Sequence, residues 1–230
     1  MNLSFFAKKT FLRENKEENS GLYLQRVSSV VRAREIAQFL GAKYNPKGGY
    51  EKDVCIYVKP AGLERVKDGD YVDVLDDWKL TETLKSRPKV KVIAMSGPHY
   101  EWLKSILKNK VVLIPHHHIN FERVKRFRTE VINCGYIGTF YPYHITINRI
   151  IAEKLKKIGL NFIQFHNFKV RDDALNFYKQ IDIQIIGHFR HIKNVPHYHA
   201  TKIINAMSFG IPTVAGPKLG YKDVKGFYIQ

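Results

Sequence analysis

Short, uninterrupted apolar runs restrict the fold more than any other feature of this chain. Val54–Val58 reads VCIYV, Tyr71–Leu75 reads YVDVL and Val90–Met95 reads VKVIAM. Continuous runs of this kind are the pattern of strands covered on both faces. Asn2–Phe6, Val111–Ile114, Val131–Ile137, Leu160–Phe165, Ile181–Ile186 and Ile211–Ala215 are read as further strands. Helical patterns lie between them. Ser20-Gly21 opens a helix over Leu22–Leu40 that Gly41 ends, with Arg26, Arg32 and Arg34 on its solvent face. Others are expected at Tyr100–Leu107, along the stripe Ile147, Ile150, Ile151, Leu155 and Ile158, from an Asp172 cap through Tyr178, and over Thr201–Phe209. Lys43–Lys52, with Pro46, Gly48 and Gly49, reads as a turn-rich link. Strands that alternate with helices predict an α/β protein with parallel sheets.

At 230 residues the chain has room for one large domain or two small ones. Its 44% apolar and 13% aromatic content excludes a disordered chain. The net charge of +17 attracts polyanions: nucleic acid, an anionic membrane surface or phosphorylated ligands. Cys55 and Cys134 are isolated in sequence, which argues against a disulfide scaffold and for a reducing compartment. The start, MNLSFFAKK, has too short an apolar core for a signal peptide, and no run is long enough to span a bilayer. A cytoplasmic protein, in solution or peripheral to a membrane, is expected.

Candidate chemistry collects at strand ends. Lys202 falls in the first turn of its helix, where a cation opposes the helix dipole unless an anion sits there too. Thr201 adds a hydroxyl at the expected N-cap. Gly138-Thr139 follows a strand, where glycine lets backbone N–H groups approach a phosphate. The stretch after Ile186 carries His188, Arg190, His191, Lys193, His197 and His199, and Arg190 is suited to clamp a phosphate bidentately. In the first half Lys59, Asp76, Asp77, Ser96 and His99 fall on the carboxyl-end rim of the expected sheet. Asp76 or Asp77 could act as a general base there; a helix cap and a turn are the plainer reading of the pair. His116-His117-His118 cannot share one metal on regular secondary structure, and the later histidines match no standard zinc spacing, so no metal site is expected.

Two strings carry a resemblance. Thr201–Pro217, TKIINAMSFGIPTVAGP, followed by Gly220-Tyr221, resembles the donor-domain motif of glycosyltransferases with the GT-B architecture, and Leu113–Phe121, LIPHHHINF, resembles their interdomain linker. The resemblance implies two Rossmann-like domains facing across a cleft. They would be an acceptor-side domain at 1–114, a linker at 115–128, and a donor-binding domain at 129–230 abbreviated at its C-terminus. It also implies a nucleotide-diphosphate sugar as co-substrate with no other cofactor, a glycan or lipid-linked acceptor, and metal-independent transfer to an acceptor hydroxyl. Donor contacts would come from Gly138, Thr139, His188, Arg190, Thr201, Lys202 and Asn205. Catalysis would fall to Asp76, Asp77 or His116. Asn205 stands where many members carry Glu. The rival readings are a nucleic-acid-directed glycosyltransferase, a basic protein that binds nucleic acid or a membrane surface without catalysis, and a sugar-nucleotide epimerase.

Overall fold

The apolar runs form two parallel sheets. The computed structural model describes residues 2–7, 31–126, 128–138, 144–166, 171–186 and 199–230. The chain divides into two units, one built from the residues up to His116 together with His199, the other from His117 onward with Ala200–Gln230.

In the first unit β1 (Leu3–Ala7), β2 (Lys43–Tyr44), β3 (Val54–Val58), β4 (Tyr71–Asp73), β5 (Lys91–Ala94) and β6 (Val111–Leu113) pair in the order β2-β1-β3-β4-β5-β6, all parallel. Alternate residues supply opposite cores. Cys55 and Tyr57 join Val72, Leu80, Leu84 and Leu103 on one side. Ile56 and Val58 join Phe5, Ala33, Ala37 and Met95 on the other. Each such side chain contributes roughly 1.5–3 kcal/mol when fully buried, which is why the runs are apolar throughout. β2 was hidden in the turn-rich link, because a two-residue edge strand has no apolar run to betray it.

Asp73 is the polar break in YVDVL, and its partner corrects the reading of Arg32 as a solvent-facing residue. Arg32 is 1% exposed. Its Nε donates to Asp73 Oδ2 at 2.6 Å, and its terminal nitrogens donate to the carbonyls of Ile114 and Pro115 at 2.9 and 3.0 Å. Burial pushes the Asp73 carboxyl up against the pull of this guanidinium. Arg32 lies in a π-helical turn, Val31–Glu35, that runs into the α-helix Ile36–Leu40 and ends at Gly41 with φ 62°. The wider turn shifts the helical register, so α-periodicity puts Arg32 on the wrong face. Arg26 and the start of the expected helix lie outside the described residues.

Two caps set the helices that follow. Asp77 accepts the Leu80 N–H at 3.0 Å and opens Trp78–Leu84. Ser96 accepts the His99 N–H and opens Gly97–Ile106, three residues before the expected Tyr100 start. Pro98 is tolerated so early because the N–H it lacks would have no helical acceptor there.

In the second unit β7 (Asn133–Ile137), β8 (Asn161–Phe165), β9 (Ile183–Ile186) and β10 (Thr213–Ala215) pair in the order β10-β9-β7-β8, again all parallel. Helices His144–Lys157, Arg171–Gln180 and Thr201–Ser208 accompany them. Asp172 falls inside the first turn of its helix, not at the cap. Ile150 and Ile158 of the expected apolar stripe are exposed. A Cβ on Gly135 would come within 2.4 Å of Ile181 Cγ2, so this strand admits only glycine where the neighbouring element packs on it. Asp182 ties the strand entrances together: it pairs with Arg126 at 2.9 Å and accepts the Ile132 and Asn133 N–H groups at 2.8 and 2.7 Å. Ile119 is buried in this unit's core, and Arg126 N–H bonds the Phe209 carbonyl, so the stretch after His117 packs here. In the tail, a 3₁₀ helix covers Leu219–Val224, and Ile229 bridges Val214 in parallel.

Each unit is a parallel α/β sheet compatible with a Rossmann-like domain. Both also wind alike: the first strand lies one place in from an edge, the second forms that edge, and the third and later strands extend the sheet on the other side. The chain therefore reverses direction beyond the carboxyl ends of β1 and β3, and again beyond β7 and β9. Open parallel sheets bind ligands at such switch points. Both cysteines are buried and unbridged, and among the described residues no helix is long and apolar enough to cross a membrane.

Candidate functional site

The helix Thr201–Ser208 connects β9 to β10, so its N-terminus opens at the carboxyl end of the second sheet. Ile203 and Ala206 anchor it, both 0% exposed. It ends in a Schellman pattern, with Gly210 N–H on Met207 O, Ile211 N–H on Ala206 O, and Gly210 at φ 71°. The N-cap is Ala200, and Thr201 is the first helical residue, which corrects the expected capping role of Thr201. First-turn N–H groups have no intrahelical acceptor, and Ala200 has no side-chain oxygen to offer them.

Lys202 turns back onto the end of β7. A Cβ placed on Gly138 would lie 3.2 Å from Lys202 Cε and 2.8 Å from the Tyr136 hydroxyl. Among the described residues Lys202 has neither an ion pair nor a hydrogen-bond acceptor, and burial holds its ammonium below the ordinary lysine range. Lys218, just beyond β10, is drawn down to about 8 by burial and then by the charge of Lys202. Two cations thus share one strand-end neighbourhood, each made harder to protonate by its setting.

Gly138 serves this site by its size rather than its amide. Its N–H already bonds the Phe165 carbonyl at 3.1 Å, which corrects the expectation of a phosphate-binding amide there. Its own carbonyl lies 2.8 Å from His166 Nδ1, which brings His166 into the same group. Asn205 is 7% exposed, and its Oδ1 accepts the Ile119 N–H at 3.1 Å. The carboxamide oxygen is therefore engaged in holding the Ile119 segment. Thr139, His188 and Arg190 lie outside the described residues. The expectations had left out Lys218 and His166. The signal for both was their place beyond the end of a parallel strand, His166 directly after β8 and Lys218 three residues past β10.

The first unit's rim is built differently. Lys59, at φ 48°, follows β3 and pairs with Asp76 Oδ1 at 2.6 Å. Burial pushes the Asp76 carboxyl up, but the hydrogen bond and charge of Lys59, with the charge of His199, outweigh it and hold it below the usual range. His116 is 7% exposed, its ring 4.6 Å from that of His199. Asp76, His199 and His116 thus gather at one place. Asp77 is committed to its helix cap, so the plainer reading holds for that residue and Asp76 is the carboxylate open to chemistry. His99 is fully buried against Trp102 and stands away from any such role. Among the described residues no three His, Cys, Asp or Glu side chains are placed to hold a metal ion.

No family model, curated protein or solved structure matches this chain.

Proposed function

We propose that the protein is a glycosyltransferase of GT-B architecture that moves a sugar from a nucleoside diphosphate to an acceptor hydroxyl. The observation that carries this reading is Lys202, a cation drawn into a helix N-terminus beside Gly138 and Lys218 with no carboxylate to balance it among the described residues. Burying an uncompensated ammonium is costly, and a departing diphosphate is an anion of the right charge to offset it. The K-x-x-N-A-M-x-x-G-I-P string of Lys202–Pro212 supports the same reading from the sequence. Lys202 and Lys218 would neutralise charge developing on the β-phosphate, with first-turn N–H groups at the helix start beside them. Asp76, kept ionised by Lys59, would orient or deprotonate the acceptor.

The test is a thermal-shift panel of uridine and guanosine diphosphate sugars on the wild-type protein and on Lys202→Ala. A matching donor at a hundred times its Kd should stabilise the protein by about 2.7 kcal/mol, and Lys202→Ala should lose that gain. A panel with no stabilising member, or equal stabilisation of the variant, overturns the proposal.

A further inference from the structure

The first unit has the same winding as the second and hence its own switch point, beyond β1 and β3. A cavity of about 460 Å³ opens there. One wall is aromatic: Phe6 stacks on Tyr57 at 4.8 Å and meets Tyr50 edge-on at 5.0 Å. The loop after β3 forms another wall and is pinned where the Tyr57 hydroxyl donates to the Arg65 carbonyl at 3.0 Å. Asn45, after β2, sits at φ 46° and accepts the Ala7 N–H at 3.0 Å through Oδ1. With Lys59 it makes two non-glycine residues in the left-handed region, at the ends of the two strands that flank β1. Such conformations cost on the order of 1–3 kcal/mol each and gather where a fold shapes a ligand site.

The rim carries Arg65 and Lys47, both exposed, and neither forms an ion pair among the described residues. Among the described residues Glu64 is the one carboxylate lining the cavity. The volume suits a ligand of one or two rings and is too small for a dinucleotide. An aromatic wall favours a ring with an apolar face, polar groups beside it favour hydroxyls, and a guanidinium at the mouth favours an oxyanion that can accept two of its N–H bonds at once.

We propose that this cavity binds a monosaccharide phosphate, with the sugar ring against Phe6, Tyr50 and Tyr57 and the phosphate on Arg65 and Lys47. The site uses no residue of the second unit and stands independently of the nucleotide-sugar reading. Calorimetric titration of the full chain with hexose 1- and 6-phosphates tests it, with glucose, inorganic phosphate and adenosine monophosphate as comparisons. One of the sugar phosphates should bind at least about tenfold tighter than glucose or phosphate alone. Arg65→Ala and Lys47→Ala should each weaken it about tenfold with unchanged urea midpoints, while Lys202→Ala leaves it intact. The proposal is overturned if no sugar phosphate binds, if adenosine monophosphate or free phosphate binds as tightly, or if binding is lost in Lys202→Ala and kept in Arg65→Ala.

Discussion

Towards the carboxyl end of the first sheet the buried and half-buried cations meet carboxylates: Lys59 on Asp76 and Arg32 on Asp73, both at 2.6 Å. At the corresponding end of the second sheet Lys202 lies beside Lys218: burial makes both harder to protonate, and the charge of Lys202 adds to the effect on Lys218. The two units share one winding order and place opposite electrostatics on it. Charge balanced within a fold holds that fold together, whereas charge left in excess at a switch point is suited to bind an anion. The first rim offers aromatic rings and ion pairs, and the second offers cations and a glycine-sized gap.

The largest expected effect tests this contrast on stability. Arg32→Ala leaves Asp73 buried without its guanidinium and should cost about 3–5 kcal/mol in urea unfolding. Lys202→Ala removes an uncompensated cation and should leave the midpoint unchanged or raised. Comparable losses in both variants would erase the distinction.

A second prediction divides binding from chemistry. Lys202→Ala should weaken donor affinity about a hundredfold by calorimetry, a change of about 2.7 kcal/mol. Asp76→Asn should keep that affinity and lower kcat by about 10²–10⁴. Reversed effects would exchange the two rims' roles.

A third prediction is a pH dependence. Lys218, with a pKa of about 8, loses charge as pH rises past that value, so donor affinity should fall about tenfold between about pH 7 and 9.5. Lys218→Arg should flatten that profile, because a guanidinium stays charged throughout. In stability the sign reverses. An unfolded lysine titrates near 10.4, so between about pH 8 and 10.4 the unfolded chain binds more protons, and folding gains as pH rises. Asp182 in the same unit acts the other way. Burial opposes its ionisation, but the Asn133 and Ile132 N–H groups and Arg126 outweigh burial and depress its pKa. Its contribution is present above about pH 4 and is lost as pH falls further.

The smallest expected effect lies on Asp77. Asp77→Ala should cost about 1 kcal/mol through the lost cap and leave kcat unchanged. A fall in kcat without loss of stability would return Asp77 to the catalytic set.

The sequence by itself determined the class of fold. Runs such as VCIYV are stable only with both faces covered, and alternation with helices makes them parallel, so the periodic signal is local and legible. It also marked Lys202 and the Gly210 helix stop, since helix ends obey nearest-neighbour chemistry. Tertiary structure alone decided the rest. Arg32 reads as a solvent-facing arginine until a π-helical turn and Asp73, 41 residues away, bury it. Gly138 reads as a phosphate-binding amide until β8 takes its N–H. Lys218 and His166 acquire meaning only when strands distant in the chain end side by side. Patterns within one turn or one strand are written in neighbouring residues, whereas charge balance and the use of each N–H depend on partners that only the folded sheet brings within reach.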